Sequence, residues 1–172
     1  MQLETKRLYL IPLTAKQLQL WVENIPALEK ELNCNYQAEP MEGIFLEIVK
    51  HQVKKTADDE TNYLYHTFWF LVRKTDRIVV GSADFKDVPD ENGEVEIGYG
   101  LGKNFERNGY MTEAVKAMCK WALEQNGVSH VIAETDIDNP ASQNILKRCG
   151  FSLYKQAGTY WWQCSSPRVV KL

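Results

Sequence analysis

The sequence has 172 residues, of which 44% are hydrophobic and 25% are charged, and its formal net charge is −3. A chain of this size and composition can bury a core, so disorder is excluded, and it lacks the basic surplus of a general nucleic-acid binder. Because no apolar run reaches the length of a membrane span, we expect one soluble domain over residues 1–172, with no membrane and no direct nucleic-acid partner.

The first part of the chain combines one strand with helical segments. Residues 5–12 alternate in polarity, which predicts a strand with both faces partly covered. Apolar spacing predicts helices at 15–24, 28–32 and 41–56. Thr14 is a candidate N-cap for the first helix, and Pro26 breaks it. The third helix is predicted to place on its apolar face Ile44, Phe45, Ile48, Val49 and Gln52. Polar connections are predicted at 33–40 and 57–62.

From residue 65 the chain becomes rich in aromatic and β-branched residues. Strands are predicted at 65–72, 78–85, 94–101, 128–135, 151–154 and 160–163. Helices are predicted at 110–125 and 140–148, ended by Asn126-Gly127 and by Gly150. Val169 and Val170 could add to a sheet edge or trail off. The order is a strand, two or three helices, three strands in a meander, then helix, strand, helix and two strands, which predicts one mixed α/β sheet.

The stretch from Val95 to Gln125 organises the chain. A strand, a polar loop at 102–109 and a helix beginning at Tyr110 form an arrangement that binds anions, because the first N–H groups of a helix have no internal partner. The loop has neither the Gly-Lys-Ser/Thr of a nucleotide-triphosphate loop nor the three glycines of a dinucleotide fingerprint. On spacing alone, an ordinary connection without a ligand remains an alternative.

Other kinds of site have weaker signals. The three histidines, His51, His66 and His130, have no metal-ligand spacing, and we assign no metal. The four cysteines, Cys34, Cys119, Cys149 and Cys164, include no Cys-x-x-Cys pair. Residues 1–7 also lack the cationic and apolar pattern of a signal peptide. We therefore expect free thiols in a cytoplasmic protein.

Several motifs, in order and at fixed spacing, resemble the Gcn5-related N-acetyltransferase (GNAT) superfamily, and specifically its Rim-type branch. They are Glu4-Thr5-Lys6-Arg7-Leu8, Glu96-Ile97-Gly98-Tyr99, Gly109-Tyr110-Met111-Thr112-Glu113-Ala114, Asn139-Pro140-Ala141-Ser142 and Cys149-Gly150-Phe151. The resemblance covers nearly the whole chain. It implies an α/β (α+β) fold, with a mostly antiparallel central sheet of about six to seven strands, flanked by helices and splayed at a central cleft.

The resemblance also implies binding of acetyl-CoA as a co-substrate. The family's pyrophosphate loop falls on Glu106, Arg107, Asn108, Gly109, Tyr110 and Met111. Only Gly109 matches the family pattern, so we expect Glu106 to turn outward and Met111 to narrow the approach to the backbone. The pantetheine is expected along the backbone of Tyr99, Gly100 and Leu101, and Asn139 is expected to hydrogen-bond it or to cap the following helix.

Acetyl transfer to an amine needs a base, donors for the oxyanion and a proton for the thiolate. Glu96 is the candidate base, acting through a water, and the backbone N–H of Tyr99 is the candidate oxyanion donor. Ser142 fits the Rim-type Asn-x-x-Ser arrangement and is the candidate acid, while the tyrosine of the other family arrangement is replaced by Leu146. Alternatively, Glu96 is an ion-paired strand carboxylate and Ser142 an ordinary helix-capping serine.

These residues predict an acetyl-CoA-dependent N-acetyltransferase that works by direct attack in a ternary complex. The alternative is a non-catalytic module of the same fold that binds an acyl-CoA or a protein partner. The acceptor amine is left open between a protein N-terminus, a polyamine and an aminoglycoside. The oligomeric state is left open between a monomer and a homodimer.

Overall fold

The computed structural model describes residues 1–166 of the chain. The strands are β1 (Leu3–Glu4), β2 (Leu8–Pro12), β3 (Asn35–Tyr36), β4 (Phe68–Arg73), β5 (Ile78–Phe85), β6 (Glu94–Leu101), β7 (His130–Thr135), β8 (Ser152–Gln156) and β9 (Tyr160–Ser165). The helices are α1 (Ala15–Glu23), α2 (Ile25–Leu32), α3 (Gly43–Asp58), α4 (Tyr63–His66), α5 (Tyr110–Leu123) and α6 (Pro140–Arg148). Short 3-10 turns lie at Glu60–Asn62 and Lys103–Phe105.

All strands join one open sheet. The order is β1-β2-β4-β5-β6-β7-β9-β8, and β3 pairs with β5. The β3–β5 and β6–β7 pairs are parallel, and the other pairs are antiparallel. The predicted mixed, mostly antiparallel sheet is therefore confirmed. Within residues 1–166 it has nine strands rather than six or seven, because the two-residue strands β1 and β3 add to it.

The sheet splays beside β6. The first three residues of β6, Glu94 to Glu96, pair with β7, whereas Ile97 to Leu101 pair only with β5. The N–H of Lys86 donates to the carbonyl of Glu96 over 3.0 Å, so even-numbered residues of β6 direct their backbone groups toward β5. By alternation, the backbone groups of Ile97, Tyr99 and Leu101 face the gap that β7 leaves. Beyond Glu96 the central strand therefore offers free backbone groups.

Two hydrophobic clusters cover the two faces of the sheet. On one face, Trp21 of α1 is fully buried, and its ring lies between 4.9 and 5.9 Å from four other aromatic rings. Those rings belong to Tyr36, Phe45, Phe68 and Phe70. On the other face, α5 buries the predicted stripe of Val115, Met118, Cys119 and Ala122. Between these two clusters, β6 and β7 stop pairing after Glu96.

Three predicted boundaries were wrong. The strand expected at 65–72 begins at Phe68, because residues Tyr63–His66 form a helical turn held by a bond from Gln52 Nε2 to the carbonyl of His66. Pro26 lies in the first turn of α2 instead of before it, a position where its missing N–H costs nothing. The polar connection at 33–40 contains β3, which adds to the edge of β5.

The predicted face of α3 was also partly wrong. Ile44 is 81% exposed and Ile48 is 48% exposed, whereas Val49, Gln52 and Thr56 are buried. Val49 and Gln52 were therefore predicted correctly, and Ile44 and Ile48 were not. The packed stripe continues to Thr56 and includes Phe45 and Val53, which turns it away from Ile44 and Ile48. Gln52 fits this face because its side chain donates to the carbonyl of His66.

Other boundaries moved by a few residues. Helix α5 ends at Leu123, before Asn126-Gly127, and β7 begins at His130 rather than 128. Strands β8 and β9 run further than expected, to Gln156 and Ser165. The pair Val169-Val170 lies outside the described residues. Within residues 1–166, none of the helices combines the length and the apolar character that a bilayer crossing requires.

Candidate active site

A cavity of about 480 Å³ opens where β6, the 102–109 loop, α5 and α6 meet. Among the residues proposed from the sequence, its lining includes Tyr99, Leu101, Glu106, Arg107, Gly109, Tyr110, Met111, Asn139 and Ser142. Gly100, Asn108 and Glu96 do not line it. Residues separated by more than forty positions in the sequence therefore share one cavity.

The N-terminus of α5 has no side-chain cap, unlike those of α1, α2 and α6. Tyr110, Met111 and Thr112 begin this helix and line the cavity. Among residues 1–166 no acceptor contacts their backbone N–H groups, whereas the N–H of Glu113 donates to the carbonyl of Gly109. Three uncapped donors at the positive end of a helix dipole fit a diphosphate group.

The loop before α5 turns on two residues with positive φ. These are Arg107, with φ 66°, and Gly109, with φ 79°. Glu106 is exposed, as expected, although it lies at the rim of the cavity. Met111 is almost fully buried in the core beneath the helix and also contributes to the cavity wall, so the narrowing expected of it stays a prediction. The loop therefore keeps an open backbone in spite of its departures from the family pattern.

An N-terminal brace of Thr5, Arg7 and Glu113 holds this loop. The Glu113 carboxylate accepts hydrogen bonds from Thr5 Oγ1, from the N–H of Arg7 over 2.7 Å and from Arg7 Nε over 2.8 Å. Arg7 Nη1 also donates to the carbonyl of Asn108 over 2.9 Å. Burial pushes the pKa of Glu113 upward, but the bonds from Thr5 and Arg7 outweigh it and hold the pKa below its ordinary value. Sequence analysis placed Arg7 in a motif but missed this role.

Ser142 lies at the start of α6 and is hydrogen-bonded to Tyr99. The two hydroxyl oxygens are 2.6 Å apart, and Asn139 Oδ1 accepts from the backbone N–H of Ser142 over 3.1 Å. Asn139 is therefore the N-cap of α6, one of its two expected roles. Burial raises the pKa of Tyr99 to about 12, so its hydroxyl is protonated at neutral pH. The side chain of Tyr99 is a site feature that the sequence analysis, which used only its backbone, missed.

A second cavity of about 330 Å³ meets the first at this hydroxyl pair. Tyr99, Asn139 and Ser142 line both cavities. The second cavity continues past Gly98 to Lys86 on β5. A group bound in the first cavity and a group bound in the second would therefore meet beside Ser142.

Two carboxylates, Glu96 and Asp84, lie next to residues that line the second cavity, without lining it themselves. Glu96 forms an ion pair with Lys86, which lines the cavity, while Glu96 itself does not. Asp84 lies across from Gly98 in the β5–β6 pairing and is only 7% exposed. Burial raises the pKa of Asp84 to about 7, with Lys86 lowering it and Glu96 raising it further. The sequence signal for Asp84 was one acidic residue in the otherwise uncharged strand at 78–85, and it was missed.

Comparison with known proteins gives consistent matches. Residues 7–152 match the family described as the acetyltransferase (GNAT) domain. YjdG, an uncharacterized N-acetyltransferase of Bacillus subtilis, is 38% identical over 92 residues, covering 54% of this chain and 55% of that protein. The uncharacterized N-acetyltransferase p20 of Bacillus licheniformis is 25% identical over 145 residues, covering 77% of this chain and 81% of that protein. The match to YjdG thus spans about half of that relative's length.

One solved structure with a similar fold is RimL, described as a ribosomal L7/L12 alpha-N-protein acetyltransferase in complex with coenzyme A. Its TM-score is 0.69 at 15% identity, and the superposition covers 96% of this chain and 98% of that chain. At this identity the likeness extends to the fold. The RimL fold is thus shared over nearly the full length of both chains.

Proposed function

The chain belongs to the GNAT acetyltransferase family, and on that basis we propose that it transfers the acetyl group of acetyl-CoA to a primary amine. The observation that supports this most is the Ser142 hydroxyl, bonded to Tyr99 where two cavities join. A proton donor at such a junction can serve a thioester that enters from one side while an amine enters from the other. A module that only binds would need no such donor.

Acetyl-CoA would occupy the first cavity. The free N–H groups of Tyr110, Met111 and Thr112 would hold its diphosphate, and Arg107 at the rim adds positive charge. The backbone of Tyr99 and Leu101 would pair with the pantetheine amides, because β7 has diverged from this part of β6. Gly100 directs its backbone groups toward β5 and therefore cannot pair with the pantetheine. Its part in this proposal is to leave that position of β6 without a side chain.

The chemistry follows from the groups near Ser142. The amine nitrogen attacks the thioester carbonyl, and the N–H of Tyr99 stabilises the oxyanion that forms. Glu96 receives, through a water, the proton that nitrogen loses as the amide forms. The C–S bond then breaks, and the sulfur takes the Ser142 proton, which the Tyr99 hydroxyl replaces through their hydrogen bond. The ion pair with Lys86 positions the Glu96 carboxylate for this role.

The acceptor is a protein N-terminus or a small-molecule amine. RimL is described as an alpha-N-protein acetyltransferase, and its shared fold brings protein N-termini into this proposal. The same proposal includes a cytoplasmic location, supported by four cysteines that are all free in the structure, and action as a monomer or homodimer.

The proposal is tested first by calorimetric titration with acetyl-CoA and free CoA. We expect micromolar binding of both, since the diphosphate donors do not depend on the acetyl group. CoA release with an amine panel would then be compared in Ser142→Ala, Glu96→Gln and the matched control Ser152→Ala, whose side chain is exposed on β8.

Loss of proton transfer in the Ser142 and Glu96 variants is expected to reduce kcat by about 10²- to 10⁴-fold, with unchanged acetyl-CoA affinity. Binding without turnover of any amine would favour the non-catalytic acyl-CoA-binding module. No binding of either coenzyme would contradict the proposal outright.

A further inference from the structure

Carboxylates line one face of the central strand. Two glycines of β6, Gly98 and Gly100, leave this face without side chains. Asp84 Oδ1 would lie 2.8 Å from a Cβ placed at Gly98, and the Glu39 carboxylate occupies the space where a Cβ at Gly100 would be. Glu96 continues the same face, because its side chain and the two glycines alternate at a spacing of two residues. The three carboxylates therefore follow one another along β6.

Asp84 differs from Glu96 because it has no ion-pair partner, and from Glu39, which is only half-buried, because it is nine-tenths buried. It keeps 7% of its surface exposed. Within the described part of the chain, no hydrogen-bond donor and no cation within ion-pairing distance reaches its carboxylate. The cation nearest to it along β5, Lys86, forms an ion pair with Glu96 instead. A buried carboxylate without a donor is costly, so a site of this kind indicates a missing positive partner.

Asp84 lies beside the second cavity without lining it. Two neighbours of Asp84 do line that cavity: Lys86, which lies two residues after Asp84, just beyond the end of β5, and Gly98, its pairing partner on β6. Phe68 on β4 pairs with Asp84 from the other side and brings no charge. A cation that enters past Lys86 and lies over Gly98 would thus meet a carboxylate that nothing else neutralises.

We propose that Asp84 binds the acceptor as an ammonium ion and takes its first proton. This inference rests on the proposed acetyl transfer and specifies its acceptor: an amine that arrives in its cationic form. Glu96 and Glu39, on either side, attract the positive charge toward the cleft. None of the motifs found in the sequence includes Asp84.

The proton balance is complete with the residues described. The acceptor R–NH3⁺ gives one proton to Asp84 and becomes R–NH2, whose lone pair then attacks the thioester carbonyl. The nitrogen gives its second proton to Glu96 as the amide forms, and the thiolate takes a proton from Ser142. Asp84 and Glu96 finally return to their ionised forms as one proton passes to solvent and one restores the hydroxyl pair.

The test compares wild type with Asp84→Asn, which keeps the shape of the side chain but cannot accept the proton. The probes are spermidine, a hexapeptide with an N-terminal serine, and kanamycin. For any probe that is turned over, we expect kcat/KM to fall about 100-fold in Asp84→Asn with unchanged acetyl-CoA affinity. The matched control is Glu91→Gln, which removes the same charge from an exposed position on the β5–β6 connection.

The pH profile separates proton transfer from a structural role. The charged groups near Asp84 are Lys86, which follows its own strand, Glu96 on β6 and Glu39 beside Gly100. In wild type, the rising limb of kcat/KM should have its midpoint near 7, where Asp84 becomes ionised. In Asp84→Asn the limb should move to the pKa of the acceptor amine itself, because only the free amine can then react. An unchanged limb and rate in Asp84→Asn would overturn the inference and leave the acetyl transfer standing.

A second measurement decides the inference even if no probe is turned over. The ¹³C resonance of the Asp84 carboxyl, assigned by its loss in Asp84→Asn, is followed while 1,4-diaminobutane is added. We expect the resonance to shift and the titration midpoint of Asp84 to fall, since a bound cation favours the ionised form. No response at millimolar diaminobutane would overturn the inference. Failure of acetyl-CoA binding, measured separately, would count against the proposed function instead.

Discussion

The two sides of β6 are built on different principles. On the side proposed for the coenzyme, backbone N–H groups face the cavity, and the charged residue behind them, Glu113, accepts hydrogen bonds from Thr5 and Arg7. On the side proposed for the acceptor, the available groups are carboxylates, and the most buried of them, Asp84, has no donor within residues 1–166. Backbone N–H groups in a fixed arrangement can bind the diphosphate of one coenzyme. A buried carboxylate without a positive partner instead favours any cationic ligand that neutralises its charge.

The largest expected effect comes from disrupting the aromatic cluster around Trp21, which covers one face of the sheet. Trp21→Ala removes a fully buried ring that packs edge-on against four aromatic neighbours, so the free energy of unfolding should fall by about 3–5 kcal/mol. Urea denaturation measures this, with Trp21→Phe as the milder control. In protein that remains folded, calorimetric affinity for acetyl-CoA should not change, and a parallel loss would mean that the two sides are not independent.

The second prediction concerns Asp84 and the pH dependence of the free energy of unfolding. Burial raises the pKa of Asp84 from 3.8 to about 7, so stability is lost as the pH rises through that window and Asp84 ionises. Asp84→Asn should therefore stabilise the protein at pH 8, by up to about 4 kcal/mol at about 1.4 kcal/mol per pKa unit, and leave it unchanged at pH 4. Thermal melting at both pH values measures this. Equal melting shifts at pH 4 and pH 8 would be inconsistent with a strained carboxylate.

The third and smallest effect concerns the coenzyme side. Arg7→Ala removes the bond from Nε to Glu113 and the bond from Nη1 to the loop carbonyl of Asn108. The backbone N–H of residue 7 remains, so one bond survives. We expect acetyl-CoA affinity to fall about 10-fold, or about 1.4 kcal/mol, because the loop loses its fixed shape. Calorimetry would compare it with Lys6→Ala, which removes the same charge from an exposed neighbour. Equal losses in both variants would point to net charge instead of the brace.

The coenzyme side could be predicted from the sequence because its signals are local. Strand β6, the loop and the start of α5 follow one another within residues 94–110, and the motif Asn139 to Ser142 spans a single helical turn. The strands at 78–85 and 94–101 and the helix at 140–148 agree with β5, β6 and α6 to the residue. The family resemblance is likewise confirmed over most of the chain.

The acceptor side could not be predicted to the same depth because its features depend on distant partners. The sequence of β5 does not indicate that Asp84 lacks a donor. Asp84 has none because Lys86 forms its ion pair with Glu96, a residue of another strand. The face of α3 was mispredicted at Ile44 and Ile48 for a related reason: the side of the helix that packs is set by the distant core around Trp21, which Phe45 and Val53 contact. The roles assigned to Glu96 and Ser142 stay predictions until the variants are measured.

The N-terminal brace also has a consequence for how the protein acquires its function during folding. Thr5 and Arg7 are separated from Glu113 by 108 and 106 positions, so their bonds close a loop that includes most of the domain. Contacts of such long sequence separation form late, once the intervening chain is already ordered. Competence to bind the coenzyme should consequently appear in the last kinetic phase of refolding, after the secondary structure has formed, which makes coenzyme capture a reporter of the completed native state.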